Sequence, residues 1–177
     1  MCSSIGDGAA AILICSEEYA RKIRARPVFI RDSSIVSASG QDGADLAAVR
    51  AAREAYAQAG MGSDEVHVAK LHDASAPAEL IHYENLEFRP PCGVPQLICS
   101  GVTDIGGRIS VNPSGGLLSC GHPVGATGAA QIVELTHQLH GETGARQRSG
   151  ARVTLDENNG GRWGGDSTVA LVTILSV

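Results

Sequence analysis

The segment Asn112–Gly128, NPSGGLLSCGHPVGATG, constrains this chain more than any other, because it has to be a turn that leads into a helix. Glycines at 115, 116, 121, 125 and 128 and prolines at 113 and 123 interrupt any long regular element across it. Glycine also lets backbone come close to a ligand and leaves N–H groups free to face it. Behind the segment, residues 129 to 140 carry Ile132, Leu135 and Leu139 at helical spacing, with Gly141 as the stop. His122 stands between the glycines and that helix. A lone histidine could simply cap its turn, but one set among close-approach glycines is better read as chemically active. Ser114, Gly115, Gly121 and Gly125 are the neighbours expected to hold a bound group.

Strands and helices alternate around this turn, which predicts a layered α/β domain. Ala9–Cys15 (AAAILIC) is a short apolar run suited to a buried strand, and Glu17–Arg24 is a short helix with acids first and bases last, ended by Pro27. Val28–Ser39 predicts a strand. Gly40–Gly43 predicts a turn, followed by a helix over Ala44–Ala59 that turns Leu46, Val49 and Tyr56 to one side and stops at Gly60. Val66–Leu71 predicts a strand that delivers His72 to its C-terminal end, where open α/β sheets place ligands. Pro77 opens a helix over Ala78–Phe88, and Arg89–Pro95, with three prolines and a glycine, predicts a loop. Ala151–Asp156 and Thr168–Leu175 are the last two strands, joined by a glycine-rich hairpin over Asn158–Gly165. About five strands in a central mixed sheet, with helices on both faces, are expected as one domain spanning 1–177.

Composition narrows the function classes. A chain of 177 residues that is 43% hydrophobic and poor in aromatics can bury one good core. A net charge of −5 argues against a nucleic-acid surface, and the cluster Arg21-Lys22-Ile23-Arg24-Ala25-Arg26 reads as a solvated helix end. Five cysteines (2, 15, 92, 99 and 120) are odd in number and have no CxxC spacing, which speaks against a disulfide framework and a zinc site. No run reaches the ~18 apolar residues of a membrane span and no signal peptide opens the chain, so a soluble protein of a reducing cytoplasm is expected.

The order NPSGG, GHPVGATG, then AAQIVELTHQL resembles the C-terminal domain of the thiolase superfamily, and most of all its sterol-carrier or lipid-transfer branch. DGAAA followed by an apolar run and SEE is similar to the end of a thiolase N-terminal domain, so residues 1–16 resemble that domain's last strand. Leu71-His72-Asp73-Ala74-Ser75-Ala76 resembles the branch's HDxF loop, and Asn158-Asn159-Gly160-Gly161 stands where the family has its last catalytic loop. The resemblance implies action on an acyl-CoA, with coenzyme A entering as part of the substrate and no tightly bound cofactor or metal. The family's nucleophilic cysteine lies in the first of two similar halves, and this sequence matches the second. Cys2 precedes the DGAAA run directly instead of opening a helix and is not taken as that nucleophile. A partner bearing the N-terminal half, or self-association, is therefore implied.

The same resemblance assigns roles. His122 would activate the nucleophile and hold the thioester oxygen, and His72 would join it in an oxyanion hole. Gly160 would complete a second one through its N–H. A loop anchor beside Asp73 is the plainer reading of His72, and a tight hairpin residue that of Gly160. The acid/base thiols of the family are missing, since Ala74 and Asn158 occupy their places. Three stand-ins are visible: Cys120, two residues before His122; Tyr83, beyond the HDAS loop; and Asp166, beside Gly164 and Gly165. Retro-aldol cleavage of a 3-hydroxyacyl-CoA needs a proton acceptor and no thiol nucleophile, which leaves it open beside acyl transfer. A non-catalytic subunit that binds coenzyme A or a lipid thioester is the third reading.

Overall fold

The computed structural model describes the chain except for residues 24, 25, 42, 44 and 90 to 92. Part of the basic cluster at 21–26, the start of the helix read from Ala44, Cys92 and two prolines of the 89–95 stretch lie outside the described residues. Five strands form one mixed sheet: β1 (Phe29–Ser37), β2 (Val68–Lys70), β3 (Ser110–Val111), β4 (Val153–Gly160) and β5 (Val169–Ser176), in the order β1-β5-β4-β2-β3. β2 runs parallel to β3 and β4, whereas β4 and β1 are both antiparallel to β5. Helices cover both faces, as the alternation of elements requires.

The first strand of the sequence reading does not form. Ala9–Cys15 has no regular secondary structure and pairs with no strand, and Leu13 and Ile14 are 87% and 71% exposed. An apolar run becomes a strand only when it pairs with an edge, and neither edge strand, β1 nor β3, takes it up. The fifth strand is instead β3, two residues long and too short to leave a periodic signal. The other elements follow their punctuation. Ser16 Oγ accepts from the Tyr19 N–H and opens α1 (Glu17–Lys22). Gly60, left-handed at φ 65°, closes α2 (Ala47–Ala59). Pro77 lies in the first turn of α3 (Ala76–Asn85), which ends three residues before Phe88. The stretch read as a loop gives way at its end to α4 (Val94–Cys99), where Pro95 occupies the first turn and is tolerated for that reason. β4 runs four residues past the Asp156 end read for it, into the stretch read as hairpin, while β5 keeps its length with a shift of one residue.

The α2 face is a second correction. Its buried stripe is Ala47, Ala48, Ala51, Ala52, Ala55 and Tyr56, while Leu46 is the 38% exposed residue before the helix and Val49 is only partly buried. Small side chains let α2 lie close against β1 and β5. The core on that face adds Leu71, Leu86, Leu97, Leu155, Val172 and Ile174. Burial of each such Leu or Ile contributes about 2 kcal/mol. On the opposite face α6 (Thr127–His140) packs Leu135 and Leu139 on Val68, Ala151 and Leu175, with Ile132 at the margin.

This layering positions the site through β4. Alternation sends Thr154, Asp156 and Asn158 toward α6, and Leu155, Glu157 and Asn159 toward α3. The apolar strand therefore ends in a polar tetrad at its C-terminal end, beside the end of β2.

Candidate functional site

Both histidine loops are tied down by groups that the fold brings in from afar. Asn112, at φ 46°, follows β3; its Oδ1 accepts from the Leu71 N–H (3.0 Å) and its Nδ2 donates to Glu79 (3.0 Å), so it extends the ladder up to His72. Asp73, only 3% exposed, accepts from the Leu117 N–H at 2.7 Å and caps α5 (Leu117–Cys120). Gly116 makes room for that carboxylate, since a Cβ there would lie 1.8 Å from Asp73 Oδ2. Gly121, at φ 81°, ends α5 and turns the chain to His122.

The first residues of the chain strap the two loops together. The Ala76 N–H donates to Met1 O (3.0 Å), the Ser3 N–H to Ala74 O (2.9 Å) and the His122 N–H to Ser4 O (2.8 Å). The result is a close pair of imidazoles, with the rings of His72 and His122 4.9 Å apart between centroids and crossed at 87°. His122 Nδ1 meets Thr127 Oγ1 at 2.8 Å, and that hydroxyl donates to Pro123 O at 3.2 Å. His72 Nδ1 faces Asn158 Oδ1 at 3.3 Å, and its backbone N–H donates to Glu157 Oε2 at 3.1 Å. Burial lowers the pKa of His72 against the opposing pull of Asn158 and Glu157, which keeps the ring neutral near pH 7.

Beneath the pair, burial sets the protonation of three more groups. Glu157 is fully buried and is pushed up to about 7, while buried His82 is pushed down to about 4. Their closest approach, His82 Nδ1 to Glu157 Oε1, is 3.6 Å, and near pH 6 they meet as two neutral groups instead of an ion pair. The Asn159 amide donates to both, at 3.2 Å to His82 Nε2 and in a short bond to Glu157 Oε1. Asp156 is 1% exposed and burial holds its carboxyl well above the usual range. Lys70, 5% exposed, donates to Gly115 O (2.7 Å) and Ser114 Oγ (3.1 Å) and so braces the NPSGG turn.

The remaining residues singled out by the sequence are scattered. Ser114, Gly115, Cys120, Gly121 and Thr127 line a mostly apolar cavity of about 230 Å³ beside Lys70. Gly125 lies apart from them, in an open cleft formed with Gly6–Ala10. Gly160 is the last residue of β4, two beyond Asn158, and pairs with Val169. Tyr83 is 2% exposed and its hydroxyl is bound by Glu79 within the α2-side core, so packing has taken it out of reach as a freely placed acid. Burial raises its pKa further. Cys120 closes α5 at its C-terminal end instead of standing at a helix start, and its thiol points to Ser114 O at 3.4 Å. Asp166 accepts from the Ala47 N–H at 2.9 Å and caps α2. Among the described residues no three His, Cys, Asp or Glu side chains converge to hold a metal ion, and no helix is long and apolar enough to cross a membrane.

Sequence reasoning passed over Lys70, Asp73, Asp156 and Glu157. The signal available was a charge inside an apolar strand, LDE in β4 and VAKL in β2, since buried charges are retained only when something pairs with them.

A mixed sheet with helices on both faces and a histidine pair at the GHP turn define a thiolase-type half, and the comparisons agree. The thiolase C-terminal domain-like family matches residues 32–173, and the chain belongs to that family. It is 38% identical over 185 residues to sterol carrier protein 2 of Rattus norvegicus, covering 96% of this chain and 33% of that protein. It is 39% identical over 171 residues to an acetyl-CoA acetyltransferase of Methanothermobacter thermautotrophicus, covering 92% and 44%. A solved structure described as Ltp2-ChsH2(DUF35) aldolase superposes with a TM-score of 0.70 at 23% identity, covering 85% of this chain and 40% of that one, a likeness of fold. The chain spans less than half the length of these relatives.

Proposed function

We propose that this chain supplies the histidine-bearing half of an acyl-CoA site and acts together with a polypeptide that carries the N-terminal half. The observation that carries this reading is the His72–His122 pair, 4.9 Å apart and drawn from two loops that are 50 residues apart in sequence and stitched together by the strap at 1–5. A scaffold has no use for two imidazoles held in contact. Coenzyme A enters as part of the substrate, beside Ser114, Gly115 and Gly121, with no resident cofactor or metal. His122 activates a partner's nucleophile, and Gly160 provides backbone N–H at the far end of β4. The uncovered apolar residues Ile5, Leu13, Ile14 and Val124, each more than 65% exposed, support a covering partner, as does the greater length of the relatives.

Carbon–carbon cleavage of a 3-hydroxyacyl-CoA is the second reading. It is favoured by Ala74 and Asn158, which leave no acid/base thiol for Claisen chemistry. Turnover of acyl-CoA thioesters by the chain joined to an N-terminal thiolase half tests both. His122→Ala is expected to lower turnover about a hundredfold or more with the circular-dichroism spectrum unchanged. Full activity in that variant would abandon the catalytic reading for a scaffold.

A further inference from the structure

We propose that Asn158 holds His72 in the tautomer with its proton on Nδ1, so that Nε2 is a proton acceptor and His72 fills the acid/base place that Ala74 and Asn158 themselves leave without a thiol. The substrate class rests on the acyl-CoA reading; the tautomer does not. A neutral imidazole has one donor nitrogen and one acceptor, and the partner of one decides the role of the other. Asn158 lies between Asp156 and His72 on the α6 face of β4. Its Nδ2 donates to Asp156 Oδ2 at 2.8 Å, which leaves Oδ1 to face His72 Nδ1 at 3.3 Å. An ionised Asp156 only accepts, so the amide cannot turn the other way. Protonated on Oδ1, which has no other hydrogen-bond partner, Asp156 still accepts at Oδ2. In both of these arrangements Asn158 receives the His72 Nδ1–H, and a proton on Asp156 Oδ2 is the one placement that would let the amide turn.

Other groups around the ring agree with this assignment. Glu157 takes the backbone N–H of His72, neutral His82 lies behind Glu157 on α3, and His122 meets the ring edge to face. The same logic applies to His122, because Thr127 gives its own proton to Pro123 O and so accepts from Nδ1–H. Neutral, His72 then has no proton on Nε2 to offer an oxyanion, which revises its share in the hole that the family resemblance implies. A substrate O–H or C–H gives its proton to His72 Nε2 while the bond pair stays on the substrate. The imidazolium keeps Nδ1–H on Asn158 and returns the Nε2 proton to the product. The three stand-ins are otherwise engaged: Tyr83 by Glu79, Asp166 by α2, and Cys120 by Ser114 O.

Two-bond ¹H–¹⁵N NMR correlations on the full chain read the tautomer directly, with the His72 signals assigned by their loss in His72→Gln. At pH 7.5 the unmodified protein is expected to show His72 as the Nδ1–H form. Asn158→Ala should move it toward Nε2–H, the form that free neutral imidazole prefers, and Asn158→Asp, which offers acceptors at His72, should keep Nδ1–H. A predominant Nε2–H form in the unmodified protein would overturn the proposal even if a variant failed to fold, and so would an unchanged tautomer in Asn158→Ala. Turnover is read separately. If His72→Gln lost turnover while the native ring proved to be Nε2–H, the site would stand and the acceptor assignment would fall.

Discussion

Two segments of this chain are rich in glycine, and only one of them carries a histidine of the proposed site. In 112–128 the backbone is held from a distance: Asn112 reaches Leu71, Asp73 reaches Leu117, Ser4 reaches His122, and Lys70 reaches Gly115. In 160–165 the tie within the hairpin is local, a bridge between Trp163 and Asp166. What that hairpin sends outward is structural. Asp166 caps α2, and the Trp163 ring lies over Gly40, where a Cβ would come within 2.4 Å of it. Glycine content therefore reports only that a chain must turn. Long-range polar ties decide whether the turn presents chemistry.

The sharpest way to break this contrast is Gly116→Ala. Gly116 has φ −90° and ψ −171°, a conformation open to any residue, so the demand for glycine comes from the Asp73 carboxylate alone. Overpacking there and the lost cap should together cost about 3 kcal/mol in urea denaturation. A cost below 0.5 kcal/mol, on the order of a neutral surface change, would mean that Asp73 does not clamp the turn.

A pH series sharpens the comparison next, because the buried titrating groups lie under the histidine segment. Glu157 rises from 4.5 to about 7 on folding, so its stabilising contribution is complete below pH 4.5 and is lost as pH climbs to 7. His82 falls from 6.5 to about 4, so its contribution is complete above pH 6.5 and is lost as pH drops to 4. Between pH 4.5 and 6.5 these two slopes oppose and cancel each other, while Asp156, whose pKa burial raises, adds a fall with rising pH and His72, whose pKa burial lowers, adds a rise. Glu157→Gln should remove its falling slope, so that stability of the variant relative to the unmodified protein rises by about 1.4 kcal/mol per pH unit over that window. A difference between the two profiles that stays flat with pH would show that Glu157 is not held protonated.

The smallest effect is expected at the hairpin. Asp166→Ala removes the α2 cap and should cost about 1 kcal/mol in thermal or urea unfolding, with acyl-CoA turnover of the complete assembly unchanged. A large loss of turnover at full stability would place Asp166 itself in the site.

The turn at 112–128, the helix behind it, the β4–β5 hairpin and the stops at Gly60 and Gly141 were written in the order of residues, because glycine, proline and helical periodicity act over a few positions. His72 and His122 were legible for the same reason, each standing at an element's end. Tertiary structure alone decided the rest. It left AAAILIC exposed and unpaired with either edge of the sheet, and it spent Tyr83 and Asp166 on a core and a cap. It also drew Asp73, Asp156, Asn158 and Glu157 around the histidines, since hydrogen bonds and burial act between residues that the sequence keeps some 40 to 85 positions apart. Spacing fixed where the turns fall, and only packing could fix which polar groups would meet there and which protons they would hold.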